Sequence, residues 1–85
     1  MKLKNKRAQI DEIDKKIAIL LNERFLIIEE IKKIKEEENL LVEDKNRESE
    51  VIVNNSKYIE TKYHNYYKKI YEVIFSSSKD IQQHE

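Results

Sequence analysis

The sequence predicts an all-α fold of three helices, the first much longer than the other two. Two observations lead to this prediction. Apolar residues recur at intervals of three and four over residues 7–35 and again over residues 63–81, the spacing of one helix face. The 85 residues include no glycine and no proline, which disfavours tight hairpin turns. We expect a single small domain over residues 1–85.

The first predicted helix runs from about residue 5 to about residue 38, after a frayed lead-in at residues 1–6. Its apolar positions form a heptad pattern, here called the isoleucine seam: Ile10, Ile13, Ile17, Leu20, Ile27, Ile31 and Ile34. Asn39 tolerates the left-handed backbone of a helix end and is the predicted cap. Such a helix is about 50 Å long. Because a domain of this size is narrower than that, we expect a second copy of the chain beside it.

Two capping residues predict where the other two helices begin. Asp44 is a good N-cap, which predicts a second helix over about residues 44–58. Thr61 is the predicted cap of a third helix over about residues 62–83.

Composition excludes several classes of function. The 17 basic and 17 acidic residues cancel, whereas a nucleic-acid or anionic-membrane surface needs a basic excess. The absence of cysteine excludes disulfides, thiol catalysis and cysteine-based zinc sites, and the absence of glycine excludes Gly-rich phosphate loops. No apolar run approaches the roughly 20 residues of a membrane span, and no signal core follows the lysine-rich N-terminus. We therefore expect a cytoplasmic protein.

Polar residues interrupt faces that should be apolar. Arg24 occupies a position of the isoleucine seam. Beside the seam lies a second stripe, here called the sevenfold stripe because its members are seven residues apart: Arg7, Asp14, Leu21, Ile28 and Lys35. Arg24 is either a buried ion pair that sets helix register or part of a ligand site, with nothing in the spacing to choose between them.

The third helix carries two such interruptions. Ser78 and Gln82 continue its apolar face, one turn apart. His64 and His84 are both expected to be solvated.

The distances between the cations suggest a shared pocket. Arg24 and Lys35 are about 16 Å apart along the helix, within reach of one small molecule for long side chains. Arg7 lies about 25 Å from Arg24 on the other side, so only an antiparallel second copy brings it to the same pocket. Three cations, one carboxylate and two neutral hydrogen-bonding groups suit a small dianion that carries a hydroxyl. The site would act electrostatically rather than by acid–base chemistry.

An ordered set of motifs covers residues 7–82. It reads Arg7-x-x-Ile10-Asp11-x-Ile13-Asp14 through Leu20-Leu21-x-x-Arg24, then Lys33-x-Lys35, Asp44-x-x-Arg47-Glu48 and Ser78-x-x-x-Gln82. This set resembles the all-helical (type II) chorismate mutase family. Among the neighbouring lysines, the sevenfold stripe selects Lys35 as the member of the motif.

The resemblance implies an intertwined antiparallel homodimer that converts chorismate to prephenate by a pericyclic rearrangement, with neither cofactor nor metal. It implies that Arg24 and the Arg7 of the partner subunit hold the two substrate carboxylates. Lys35 and Gln82 would donate to the ether oxygen, and Glu48 with the backbone at Asp44 would bind the ring hydroxyl. Ser78 and Arg47 would support the carboxylate end.

Two alternatives remain at this point. An isochorismate-pyruvate lyase shares the fold and also acts on a similar dianion, although the presence of Ser78 and Glu48 favours the mutase. The other alternative is a non-catalytic helical dimerisation module in which Arg24 fixes the register.

Overall fold

The computed structural model describes residues 1–84. It contains three α-helices, α1 (Lys2–Glu38), α2 (Lys45–Ser56) and α3 (His64–Gln83), with a 3-10 turn at Thr61–Tyr63 before α3. No strand occurs in these 84 residues. The predicted all-helical class with one very long first helix is confirmed.

Helix α1 begins earlier than predicted and ends where predicted. It starts at Lys2, where the Asn5 N–H already donates to the Met1 carbonyl at 3.2 Å, so the prediction of a frayed lead-in was wrong. At the other end Asn39 adopts a left-handed conformation with φ 56° and ψ 41°. The Leu40 N–H then donates to the Lys35 carbonyl at 2.9 Å, which satisfies one of the carbonyls that a helix end leaves free.

Helix α2 has the predicted cap. The Asp44 side chain accepts a hydrogen bond from the Arg47 N–H at 3.0 Å, the usual N-cap contact. Glu48 lies in the first turn, where its charge complements the helix dipole.

The start of α3 differs from the prediction. Thr61 belongs to the 3-10 turn and makes no capping hydrogen bond, so it is not the cap of α3. His64 instead holds together the segment between α2 and α3, because its Nε2 lies 3.1 Å from the Ser56 carbonyl and 2.9 Å from the Ile59 carbonyl. His64 is half-buried, and the prediction that it is solvated was wrong; His84 is exposed, with Nε2 3.1 Å from Asp80.

The second half of α1 packs on α3, and it does so with the sevenfold stripe. Ile28 is 8% exposed and Leu21 and Lys35 are half-buried. From α3, Tyr67 is also 8% exposed and packs edge-on against Tyr71, with 5.2 Å between ring centroids. The Tyr67 hydroxyl donates to the Ile52 carbonyl of α2 at 3.2 Å, so α3 lies at the centre of the chain.

The isoleucine seam, in contrast, lies mostly on the surface of the chain. Every residue from 1 to 20 is exposed, and Ile10, Ile13, Ile17, Leu20, Ile27 and Ile34 keep about half or more of their surface. The chain measures 56 × 26 × 15 Å and has a radius of gyration of 16.0 Å, against about 12 Å for a compact domain of this length. Within residues 1–84, no helix is both long and apolar enough to cross a membrane.

Candidate active site

A cavity of about 270 Å³ lies between the second half of α1, the start of α2 and the last turns of α3. This volume is close to the lower end of the range, about 300–1,000 Å³, that is usual for small-molecule sites. Seven residues that the sequence singled out line it: Arg24, Lys35, Asp44, Arg47, Glu48, Ser78 and Gln82. Residues from four separate motifs therefore converge on one cavity.

Arg24 is held in place by α3. Its guanidinium donates a hydrogen bond to the Ser78 hydroxyl and lies 5.9 Å from the centre of the Phe75 ring. The Ser78 hydroxyl donates in turn to the Ile74 carbonyl at 2.8 Å. No carboxylate in residues 1–84 forms an ion pair with Arg24, so the interpretation of Arg24 as an internal register-setting pair has no support within the chain.

Lys35 closes the end of the cavity that lies nearest the connector, residues 39–44. Its ammonium donates to the Val42 carbonyl at 2.7 Å. Since the ammonium has three protons, two remain for other acceptors in the cavity. The same contact fixes the path of the connector across the C-terminal end of α1.

Gln82 lies on the α3 wall and is 9% exposed. Its Nε2 donates one proton to the Ser78 carbonyl at 3.2 Å. The second proton of the amide takes no part in that hydrogen bond. Its Oε1 is buried and has no hydrogen-bond partner among the described residues. An unsatisfied amide oxygen is costly in a closed interior, so its position in the wall of a cavity is consistent with a site for a polar ligand.

The carboxylate of Glu48 forms the α2 side of the cavity. Its Oε2 lies 3.4 Å from the Lys79 ammonium, which also lies 3.4 Å from Glu43 Oε1 in the connector. Arg47 is near the mouth, where its guanidinium is mostly exposed and lies 3.6 Å from Glu50.

Arg7 does not join this cavity within one chain. It is exposed and borders a separate depression formed by the first turns of α1, with Met1, Leu3 and Lys4 among its neighbours. The 17 residues between Arg7 and Arg24 correspond to about 25 Å of helix.

Two residues that the sequence analysis missed also line the cavity, Phe75 and Lys79. The signal was present, because both lie within one turn of Ser78 on α3. Phe75 supplies an apolar wall beside Arg24, and Lys79 adds a cation beside Glu48.

Comparison with protein families gives one result that covers nearly the whole chain. The model of the family described as chorismate mutase type II matches residues 6–83. Searches of curated proteins and of solved structures returned no match. The matched range contains every residue of the cavity and also Arg7. The chain therefore belongs to the type II chorismate mutase family, the enzymes that convert chorismate to prephenate.

Proposed function

We propose that the cavity between α1, α2 and α3 is the site where chorismate is bound and rearranged. The single observation that supports this most directly is the convergence of Arg24, Lys35, Glu48 and Gln82 on one cavity of small-molecule size. Chorismate is a dianion with a ring hydroxyl and an ether oxygen, and the cavity offers cations, a carboxylate and an amide.

Arg24 binds one carboxylate of the substrate in this proposal. The planar guanidinium matches a carboxylate with two parallel hydrogen bonds, and the contacts to Ser78 and Phe75 restrict its orientation beforehand. Arg47 and Ser78 support this end of the site. A substrate held by both carboxylates is confined to the folded conformer in which the two reacting carbons meet, and this orientation lowers the barrier.

Lys35 and Gln82 act on the ether oxygen. As the carbon–oxygen bond breaks, negative charge gathers on that oxygen, so a donor fixed beside it stabilises the transition state more than the substrate. Both side chains have protons to spare, because Lys35 uses one proton on the Val42 carbonyl and Gln82 uses one on the Ser78 carbonyl.

Glu48 and the backbone at Asp44 bind the ring hydroxyl. The capping contacts of Asp44 fix this part of the backbone, since its side chain accepts the Arg47 N–H and its carbonyl accepts the Glu48 N–H at 3.1 Å. No group in the site has to transfer a proton, because all bonds form and break within the substrate. The chemistry needs neither a nucleophile nor a cofactor.

The site is completed by a second copy of the chain. Two chains that pack their isoleucine seams antiparallel cover the exposed apolar face of α1, which the single chain leaves open over residues 1–20. Antiparallel packing also brings Arg7 of the partner subunit next to Arg24, where it binds the second carboxylate. The elongated shape of the single chain supports this assembly.

The product fits a role in the biosynthesis of phenylalanine and tyrosine, for which prephenate is the precursor. We place this reaction in the cytoplasm, a compartment that suits a chain without cysteine.

The test is a direct absorbance assay for the loss of chorismate with purified protein, with identification of the product as prephenate. Isochorismate serves as the second substrate in parallel. We expect prephenate from chorismate and no pyruvate from isochorismate. Release of pyruvate from isochorismate without prephenate from chorismate would assign the chain to the lyases, and inactivity toward both would favour a dimerisation module.

A further inference from the structure

Lys79 lies where three segments of the chain meet. Its ammonium is 3.4 Å from Glu48 Oε2 on α2 and 3.4 Å from Glu43 Oε1 in the connector, while its own backbone belongs to α3. Lys79 and Glu48 line the cavity, and Glu43 lies outside it. The Lys79 side chain is 29% exposed and that of Glu48 is 26% exposed, so this ion pair is more shielded from water than a pair on the open surface.

Lys79 is protonated and positively charged at neutral pH. Burial lowers the pKa of its ammonium, but the hydrogen bonds and charges of Glu48 and Glu43 outweigh burial, and the pKa is raised above its usual value near 10.5. A permanent cation therefore stands between two carboxylates.

The neighbours of Glu48 explain why such a cation matters. Arg24, Lys35 and Arg47 line the same cavity, and the proposed function requires the first two to bind the substrate. A Glu48 carboxylate without its own counter-ion would turn toward these cations and pair with them, since opposite charges attract strongly in a partly shielded space. It would then compete with the carboxylates of the substrate.

We propose that Lys79 is a positioning residue for the mutase reaction. It holds Glu48 against the cavity wall, so that Glu48 binds the ring hydroxyl and leaves the substrate-binding cations free. This inference rests on the proposed function of the cavity. Glu48 Oε2 faces Lys79, which leaves Oε1 for the substrate.

The experiment compares Lys79→Met, Lys79→Arg and Glu48→Gln, singly and combined, in the chorismate assay. We expect Lys79→Met to raise KM and to lower kcat/KM about tenfold. Lys79→Arg, which restores the cation, should retain most of the wild-type kcat/KM. In the Glu48→Gln background, Lys79→Met should change kcat/KM by less than about twofold, because no charge remains for Lys79 to hold.

Lys62→Met is the matched control, since Lys62 pairs with Glu60 at 3.7 Å in an exposed position away from the cavity. It should leave kcat and KM unchanged. Thermal unfolding of all variants separates a loss of fold from a loss of positioning.

Three results would overturn the inference. The first is a wild-type kcat/KM in Lys79→Met, and the second is full additivity of the effects of Lys79→Met and Glu48→Gln. The third is a variant Glu43→Gln whose kcat/KM falls as much as that of Lys79→Met, with no coupling between Lys79 and Glu48. The last result would mean that Lys79 only holds the connector in place, through Glu43. Each of these requires an active wild-type protein. An inactive wild-type protein would instead refute the proposed function, so the two failures are distinguishable.

Discussion

Arg24 and Ser78 are hydrogen-bonded to each other although 54 residues separate them in sequence. The proton of the Ser78 hydroxyl is directed to the Ile74 carbonyl, so its oxygen is free to accept from the guanidinium. Ser78 is 5% exposed, and this contact explains why a hydroxyl interrupts the apolar face of α3. It ties the cation of α1 to the helix that also carries Gln82.

Replacement of Arg24 by leucine should separate stability from activity. Leucine suits a position of the isoleucine seam, so the temperature of unfolding should hold or rise. Turnover of chorismate should fall about a thousandfold or more, because the variant loses the guanidinium that is proposed to bind one substrate carboxylate. Thermal unfolding and the absorbance assay measure the two effects on the same sample.

Arg24→Lys is the companion variant. It keeps the positive charge but loses the planar fork, so activity should lie between that of Arg24→Leu and that of the wild type. Full activity in Arg24→Leu together with a higher unfolding temperature would instead identify Arg24 as a structural residue.

A mixture of two inactive variants should regain activity. In the proposed homodimer, Arg7→Ala and Lys35→Ala each damage both sites. A heterodimer of the two has one intact site and one site with both defects, so random reassociation should restore about a quarter of the wild-type activity. The measurement is the chorismate assay after the two variants have been unfolded together and refolded.

The control for this experiment is each variant refolded alone, which should stay inactive. Activity of the mixture no higher than that of the separate variants would contradict the assignment of Arg7 to the site of the partner subunit.

A charge in the isoleucine seam should weaken the proposed dimer. Ile17→Glu places a carboxylate in the apolar interface twice, once from each copy, and should raise the Kd of the dimer about a hundredfold or more. Sedimentation velocity over a series of concentrations measures it. Lys15→Glu, on the opposite face of α1, is the control and should leave the dimer intact. Equal sedimentation of the two variants and the wild type would show that the seam is not the interface.

Tyr67 should give the protein a specific sensitivity to alkali. Burial of the phenol, and then the neighbouring Tyr71, raise the pKa of Tyr67 above its usual value near 10.0. The folded state therefore holds this proton more tightly than the unfolded state. Its contribution to stability is fully present below about pH 10 and is lost as pH rises through the raised pKa.

Tyr67→Phe should remove the loss of stability that comes from ionisation of Tyr67 at alkaline pH. The free energy of unfolding of this variant should therefore fall less steeply between about pH 9 and about pH 11 than that of the wild type. At neutral pH it should be less stable by about 1 kcal/mol, because the hydrogen bond to the Ile52 carbonyl is gone. Tyr58→Phe, at a position 74% exposed, is the control and should follow the wild-type curve. Urea unfolding at a series of pH values measures both effects.

Local chemistry made parts of the structure predictable from sequence. Asn39 and Asp44 act through their own backbone and the next few residues, so the end of α1 and the start of α2 lie where the sequence places them. Ser78 and Gln82 were visible as polar groups one turn apart on an apolar face. Their burial follows from that face packing on α1.

The remaining features depend on contacts between distant segments. The sequence shows two stripes on α1 but not which one packs on α3. The chain buries Ile28 of the sevenfold stripe, while most of the isoleucine seam stays exposed. The role of His64 depends on two backbone carbonyls, which no side-chain pattern records. Lys79 looks like any surface lysine until the connector and α2 bring Glu43 and Glu48 to it.

Ile28 and Tyr67 are the only apolar side chains that residues 1–84 enclose to more than nine-tenths. In the proposed homodimer, association supplies the burial that one copy lacks, so the fraction of folded enzyme depends on the concentration of the chain. Specific activity should therefore decline as the protein is diluted and recover as it is concentrated. In a cell, the level of synthesis would then set the activity of each molecule as well as the number of molecules.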